Sequence, residues 1–345
     1  MTSLNVRSVL HSKHCYLVAI VSAWVSSSTL LAQDRVTYLP DGAAAPFTLV
    51  GEVLDSTGEE LRMRPSGGLP QSIPADSVVE IETHYDPSHL KGIEFFQNDQ
   101  IQDAETAFRE ALKREPREWV DRELLSWLTR CYLREGQLTA ALQTFRELVS
   151  SDPLTRHWGL APLEWSSRQV SASLRQAAKP LVVESRATDR LLGSSLLLFD
   201  PIAGPAARAE LNDLARNTNP RISRLARAQL WRLTVSNGDV TQNRLINWQN
   251  DIDALPAGLR AGPQYLLARG YVQIGLPRLA AAEYLKLTIL YSEHEVLTAS
   301  ATLEAARLIG ETGLTQEADL LYRELLARFP RSEAAKLAKN QMLTN

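Results

Sequence analysis

The chain has 345 residues, of which 44% are hydrophobic, 22% charged and 7% aromatic, an ordinary globular mix that excludes a disordered or collagen-like chain. A net charge of -3 excludes the strongly basic balance of a general nucleic-acid binder. Two cysteines exclude a disulfide-dense scaffold and any multi-cysteine zinc or iron–sulfur site.

Residues 1–32 carry Arg7 and Lys13 but no acid, then an apolar run from Cys15 to Val25 and a small polar patch from Ser26 to Thr29. That is the layout of a secretory signal. The run of 11 residues is shorter than the roughly 20 that cross a bilayer. A cleaved leader is therefore expected, with Ala32 as the last residue removed and Ser28 as a second candidate. An uncleaved anchor is the alternative and the only membrane attachment the sequence offers. Cleavage leaves Cys131 as the one thiol, beside Leu128 and Tyr132 on an apolar face, where a small buried core residue is expected.

Residues 33–84 read as a small β module. Phe47 to Leu54, Glu60 to Arg64 and Ser77 to Thr83 alternate apolar with polar side chains between turns rich in glycine and proline, which predicts three or four short antiparallel strands. About 50 residues is near the lower limit of independent stability, so the module should pack on the segment C-terminal to it.

From Tyr85 on, the apolar spacing becomes helical, and one pattern recurs four times: a small residue, an aromatic, an apolar residue and a breaker. The sets are Ala104, Phe108, Ala111, Pro116; Ala141, Phe145, Leu148, Pro153; Ala280, Tyr284, Leu287, Ser292; and Ala318, Tyr322, Leu325, Pro330. A second small or compact residue stands twelve positions before each alanine, at Gly92, Thr129, Ala268 and Ala306, and turn glycines precede three of the alanines at Gly136, Gly275 and Gly313. Small residues let two antiparallel helices approach, the aromatic fills the space toward the next hairpin, and the breaker ends the second helix.

The register resembles that of the tetratricopeptide repeat family, over about residues 85–118, 122–155, 261–294 and 299–332. The resemblance implies a mainly α fold, a right-handed superhelix behind the β module, with a concave groove lined by first helices that holds peptides or partner proteins. The chain therefore divides into a leader (1–32), a β module (33–84), repeats (85–155), degenerate helical hairpins (156–260), repeats (261–332) and a C-terminal helix end (333–345). In the middle segment, helical runs are expected at about 163–178, 181–199, 205–217, 220–235 and 240–254, bounded by prolines.

No zinc-protease, P-loop, dinucleotide or nucleophile-elbow motif is present, and His294-Glu295 lacks a second histidine at ligand spacing. The charge is distributed unevenly: residues 33–155 are net -10, residues 156–260 net +5 and residues 261–345 net 0. Arg221, Arg224, Arg227 and Arg232 lie within roughly 140° of one helix's circumference. They form either a docking face for an anionic partner or a solvated or internally paired face.

Tetratricopeptide domains that clamp chaperone tails use lysine and asparagine one turn apart. The matching positions here hold His89 and Ile93, so the clamp is absent. His89, Ile93, Ser126 and Arg130 are expected to face the groove and, with Arg221, Arg224 and Arg227, are the candidate partner contacts. The leading expectation is a non-enzymatic exported bacterial scaffold, periplasmic or secreted, binding a protein or peptide without a cofactor and without nucleic acid. A self-assembling envelope component and an envelope polysaccharide-processing factor are the alternatives.

Overall fold

The computed structural model describes residues 33–344; the leader expected at residues 1–32 lies outside them. Five strands come first: β1 (Asp34–Tyr38), β2 (Phe47–Ser56), β3 (Glu60–Pro65), β4 (Gln71–Pro74) and β5 (Val78–Glu82), in one antiparallel sheet of order β4-β3-β2-β1-β5. Of these, β1 and β4 are not among the runs picked out in the sequence. The register pairs Val36 with Leu49 and Ile81, Val53 with Met63, and Leu61 with Ile73, which gathers one apolar face. That face shares a core cluster with Ile101, Phe108, Trp119 and Leu124 of the helices next in the chain. The small sheet thus obtains its core from its neighbours, as its size requires. Buried Arg122 fixes the join, donating to Asp55 Oδ1, to the Ser56 carbonyl and to Ser151 Oγ.

The first repeats are α1 (Pro87–Gln97), α2 (Ile101–Leu112), α3 (Glu118–Arg134) and α4 (Leu138–Ser151). Asp86 caps α1 by accepting from the Ser88 N–H, with Pro87 in the first turn, where its missing N–H costs nothing. Ala104, Ala141, Ala280 and Ala318 are all buried, as are the aromatics four residues on. Gly92 shows why the paired position is small: a Cβ there would lie 2.5 Å from the Phe108 ring. Gly136, Gly275 and Gly313 have φ of 69°, 73° and 90°, the left-handed conformation that ends the first helix of each unit. The first unit puts Asp99 in that place at φ 61°, the only non-glycine residue with positive φ among those described.

Between the repeat pairs the expected hairpins are only partly formed. Residues 156–160 make a 3₁₀ turn, 161–171 are irregular, and α5 covers only Ala172–Ala178, so the helix expected from 163 begins nine residues late. Two hairpins come next, α6 (Ala187–Leu197) with α7 (Gly204–Leu214) and α8 (Pro220–Asn237) with α9 (Gln242–Asp253). The last repeats are α10 (Ala261–Gln273), α11 (Pro277–Leu290), α12 (Glu295–Glu311) and α13 (Thr315–Arg328), and α14 (Glu333–Thr344) closes the chain.

The two repeat pairs touch. Arg134 at the end of α3 pairs with Glu295 at the start of α12 at 2.9 Å, and Arg331 reaches Asp99 at 3.5 Å and Glu135 at 3.8 Å. The first pair also suits the two helix dipoles, a cation at a C-terminus meeting an anion at an N-terminus.

Candidate functional site

Where an open groove would expose the inner face of α3, the chain's own residues 156–168 cross as a strap. Pro153 and Pro162 break helix on either side of Gly159, and the Glu164 carboxylate accepts from the N–H groups of Trp165 and Ser166, a local bond that replaces a helical one. At one end Glu123 of α3 accepts from Arg156 at 2.8 Å and bonds His157 Nε2 at 2.9 Å. Burial pushes the Glu123 carboxyl up, but the His157 hydrogen bond and the charges of His157 and Arg156 outweigh it and hold the group down at about 2. The Trp158 ring packs edge-on against Phe145 and lies beneath the Arg221 guanidinium, 5.1 Å away.

At the other end Arg232 holds the strap. It is fully buried and donates to the carbonyls of Ser166 and Ser195 at 2.9 and 2.7 Å and to Gln229 Oε1 at 2.7 Å. Burial lowers its pKa to about 10, opposed by Glu164, so it stays charged at neutral pH. Ser195 Oγ accepts from the Glu164 N–H and donates to Gln229. Trp165 lies over Gly262 of α10 so closely that a Cβ there would sit 1.9 Å from the indole.

The strap does not fill the groove completely. A cavity of about 540 Å³ lies between α3, the strap and the first turns of α10 and α12, within the range of small-ligand sites. Its walls include Phe96, Trp127, Trp158, Trp165 and Tyr265. Trp127, Arg130 and Arg134 come from successive turns of one face of α3. His294, the N-cap of α12, borders it with Nε2 unpartnered, and burial lowers its pKa.

The residues nominated from the sequence do not form one surface. Arg130 lines the cavity, its guanidinium 5.5 Å over the Trp127 ring. Ile93 is half-buried against the N-terminal core. His89 and Ser126 are corrected from groove-facing to buried: His89 is wedged between Tyr85 and Phe108, and Ser126 bonds the Glu123 carbonyl on the part of α3 that the strap covers. The arginine face of α8 is engaged within the chain. Arg221 stacks on Trp158, Arg224 donates to the Ala254 carbonyl at 2.7 Å, and Arg227 pairs with Asp251 at 3.5 Å. Cys131 is buried, and burial raises its thiol to about 12. Sequence reasoning does not find the strap or the cavity; the cluster Trp158, Pro162, Trp165 between two breakers is the available signal.

Residues 95–161 match the family described as Tetratricopeptide repeat. Among solved structures the chain is similar to the crystal structure of PilW, described as a widely conserved type IV pilus biogenesis factor, with 18% identity, 72% of this chain and 96% of that chain covered, and a TM-score of 0.33. No curated protein matches the sequence. Among the described residues no group of three His, Cys, Asp or Glu side chains is arranged to hold a metal, and no helix is long and apolar enough to cross a membrane.

Proposed function

We propose that the chain is a non-enzymatic protein-binding scaffold of the bacterial cell envelope, exported by its leader and needing no cofactor. The repeats supply a rigid stack of hairpins, which is suited to holding a partner surface at low ordering cost. One observation carries the choice of surface. Six large apolar side chains stand exposed on the C-terminal repeats: Leu279, Ile289, Leu290, Val296, Leu314 and Leu320. Three of them fall within residues 289–296, around the turn between α11 and α12. The α8 arginines, by contrast, are already engaged inside the chain. An apolar partner surface at the α11–α12 turn therefore supports the reading better than an acidic partner on α8.

Site-specific photocrosslinking in bacteria producing the full chain tests this. A crosslinker at position 289, 290 or 296 should give discrete adducts with an envelope protein, and one at exposed position 208 or 216 should not. Adducts at neither set would contradict the scaffold reading. The mass of the protein recovered from the envelope fraction tests export: it should begin at Gln33 or Thr29, and an unprocessed cytoplasmic product would remove the envelope from the account.

A further inference from the structure

The central cavity opens beside the proposed partner surface and shares Val296 with it, but its interior is lined by other residues. We propose that it binds a small amphipathic anion, an apolar body bearing one acidic head group. Its size admits a single small molecule and not an additional helix or domain. The walls supply the apolar part: Phe96, Trp127, Trp158, Trp165 and Tyr265 with surrounding leucines. The mouth reaches solvent where Gly258, Glu293 and Val296 are exposed.

The charges decide the sign of the head group. Three carboxylates line the cavity; two of them are engaged, and the third, Glu293, stands exposed at the mouth. Glu164 accepts from two backbone N–H groups, Glu295 pairs with Arg134, and Glu293 lies 3.6 Å from His294. Of the three arginines, only Arg134 is paired in this way. Among the described residues Arg130 and Arg168 have no carboxylate within 4 Å; the Arg130 guanidinium lies over the Trp127 ring, 5.5 Å from its centre. With no carboxylate pairing it, the guanidinium keeps N–H donors for a carboxylate, sulfonate or phosphate. Burial lowers the pKa of Arg130, opposed by Glu123 and Glu293, so an added negative charge compensates a desolvated cation. An uncharged ligand would add nothing to what Glu123 and Glu293 supply, and a cationic one would face the guanidinium directly.

The test uses the full mature chain and decanoate, with decanamide as the neutral control. Trp127, Trp158 and Trp165 line the site, so binding reports itself in tryptophan emission. Decanoate should change the emission saturably at one molecule per chain, and decanamide should bind at least about tenfold more weakly, the size expected for one charge-assisted hydrogen bond. Arg130→Gln should weaken decanoate by a similar factor and leave decanamide unchanged. Arg168→Gln, at an exposed residue outside any ion pair, serves if the first variant does not fold, and it should weaken decanoate in the same direction. Equal binding of acid and amide, indifference of decanoate to both substitutions, or saturable binding only by the free C-terminus of a peptide would overturn the proposal.

Discussion

In the repeats, Ala104, Ala141, Ala280 and Ala318 occupy one repeat position, and each is buried among apolar side chains of its own hairpin and of an adjacent element. In the strap, Trp158 and Trp165 are buried by residues from distant parts of the chain. Phe145, Arg221 and Gly262 meet them, while Arg232 reaches across 66 positions to the Ser166 carbonyl. Both regions leave no room for an added methyl at a contact glycine, Gly92 in the repeats and Gly262 against the strap. What differs is the range of the interactions that fix them, and with it how far a periodic pattern can report them.

That contrast can be broken most forcefully at Arg232. Arg232→Met removes the donor to the Ser166 and Ser195 carbonyls and one of the two donors to Gln229 Oε1, and should cost about 2–5 kcal/mol in urea unfolding, since each orphaned carbonyl carries a desolvation penalty of about 1–3 kcal/mol. A loss below about 1 kcal/mol would mean that the strap is not held there. Next in size is a matched pair of glycines. Gly262→Ala in the strap contact and Gly92→Ala in the repeat contact should each cost about 1–3 kcal/mol by overpacking. Gly258→Ala, with nothing within 4 Å of the added methyl, should be close to neutral. If Gly262→Ala were as mild as Gly258→Ala, the strap would be looser than the repeats.

Acid sharpens the comparison at the other anchor. The folded-state pKa of Glu123, about 2, lies below its ordinary 4.5, so its stabilisation is complete above pH 4.5 and is lost as pH falls through about 2. The stability difference between the wild type and Glu123→Gln should therefore hold from about pH 6 to about pH 4.5 and shrink from there to about pH 2.5. A constant difference would show that the carboxylate does not hold the strap. The smallest effect belongs to the contact between repeat pairs. Arg331→Gln breaks two exposed, long ion pairs and should cost less than about 1 kcal/mol, with the remaining cost disappearing in high salt.

Much of the repeat structure is legible in the sequence because its determinants are local. The turn glycines, the small residues and the buried aromatics stand where the spacing puts them. The exception is instructive: the first unit has Asp99 where the others have glycine, and its carboxylate receives Arg134 and Arg331. Helical arithmetic places four arginines on one face of α8 correctly, yet it carries no information about what that face meets. Arg232 meets the strap and is fully buried, while Arg227 stays exposed beside Asp251. Residues 163–171 look helical in the sequence because Leu163, Trp165 and Val170 are apolar, whereas Glu164 and Ser166 spend their polar groups on local bonds and on contacts with α6 and α8. For the same reason a register position can be assigned to His89 and Ser126 but not a burial.

The groove of this repeat array is closed by its own chain, with residues 156–168 as much a part of the folded core as the helices around them. Hydrogen exchange of the full mature chain, read by mass spectrometry, tests it most directly. The amides of Ala161, Glu164, Trp165 and Ser166 are hydrogen-bonded and should exchange as slowly as those at the centres of α3 and α10. Exchange of that segment at the rate of an exposed loop, with α3 and α10 still protected, would contradict the account.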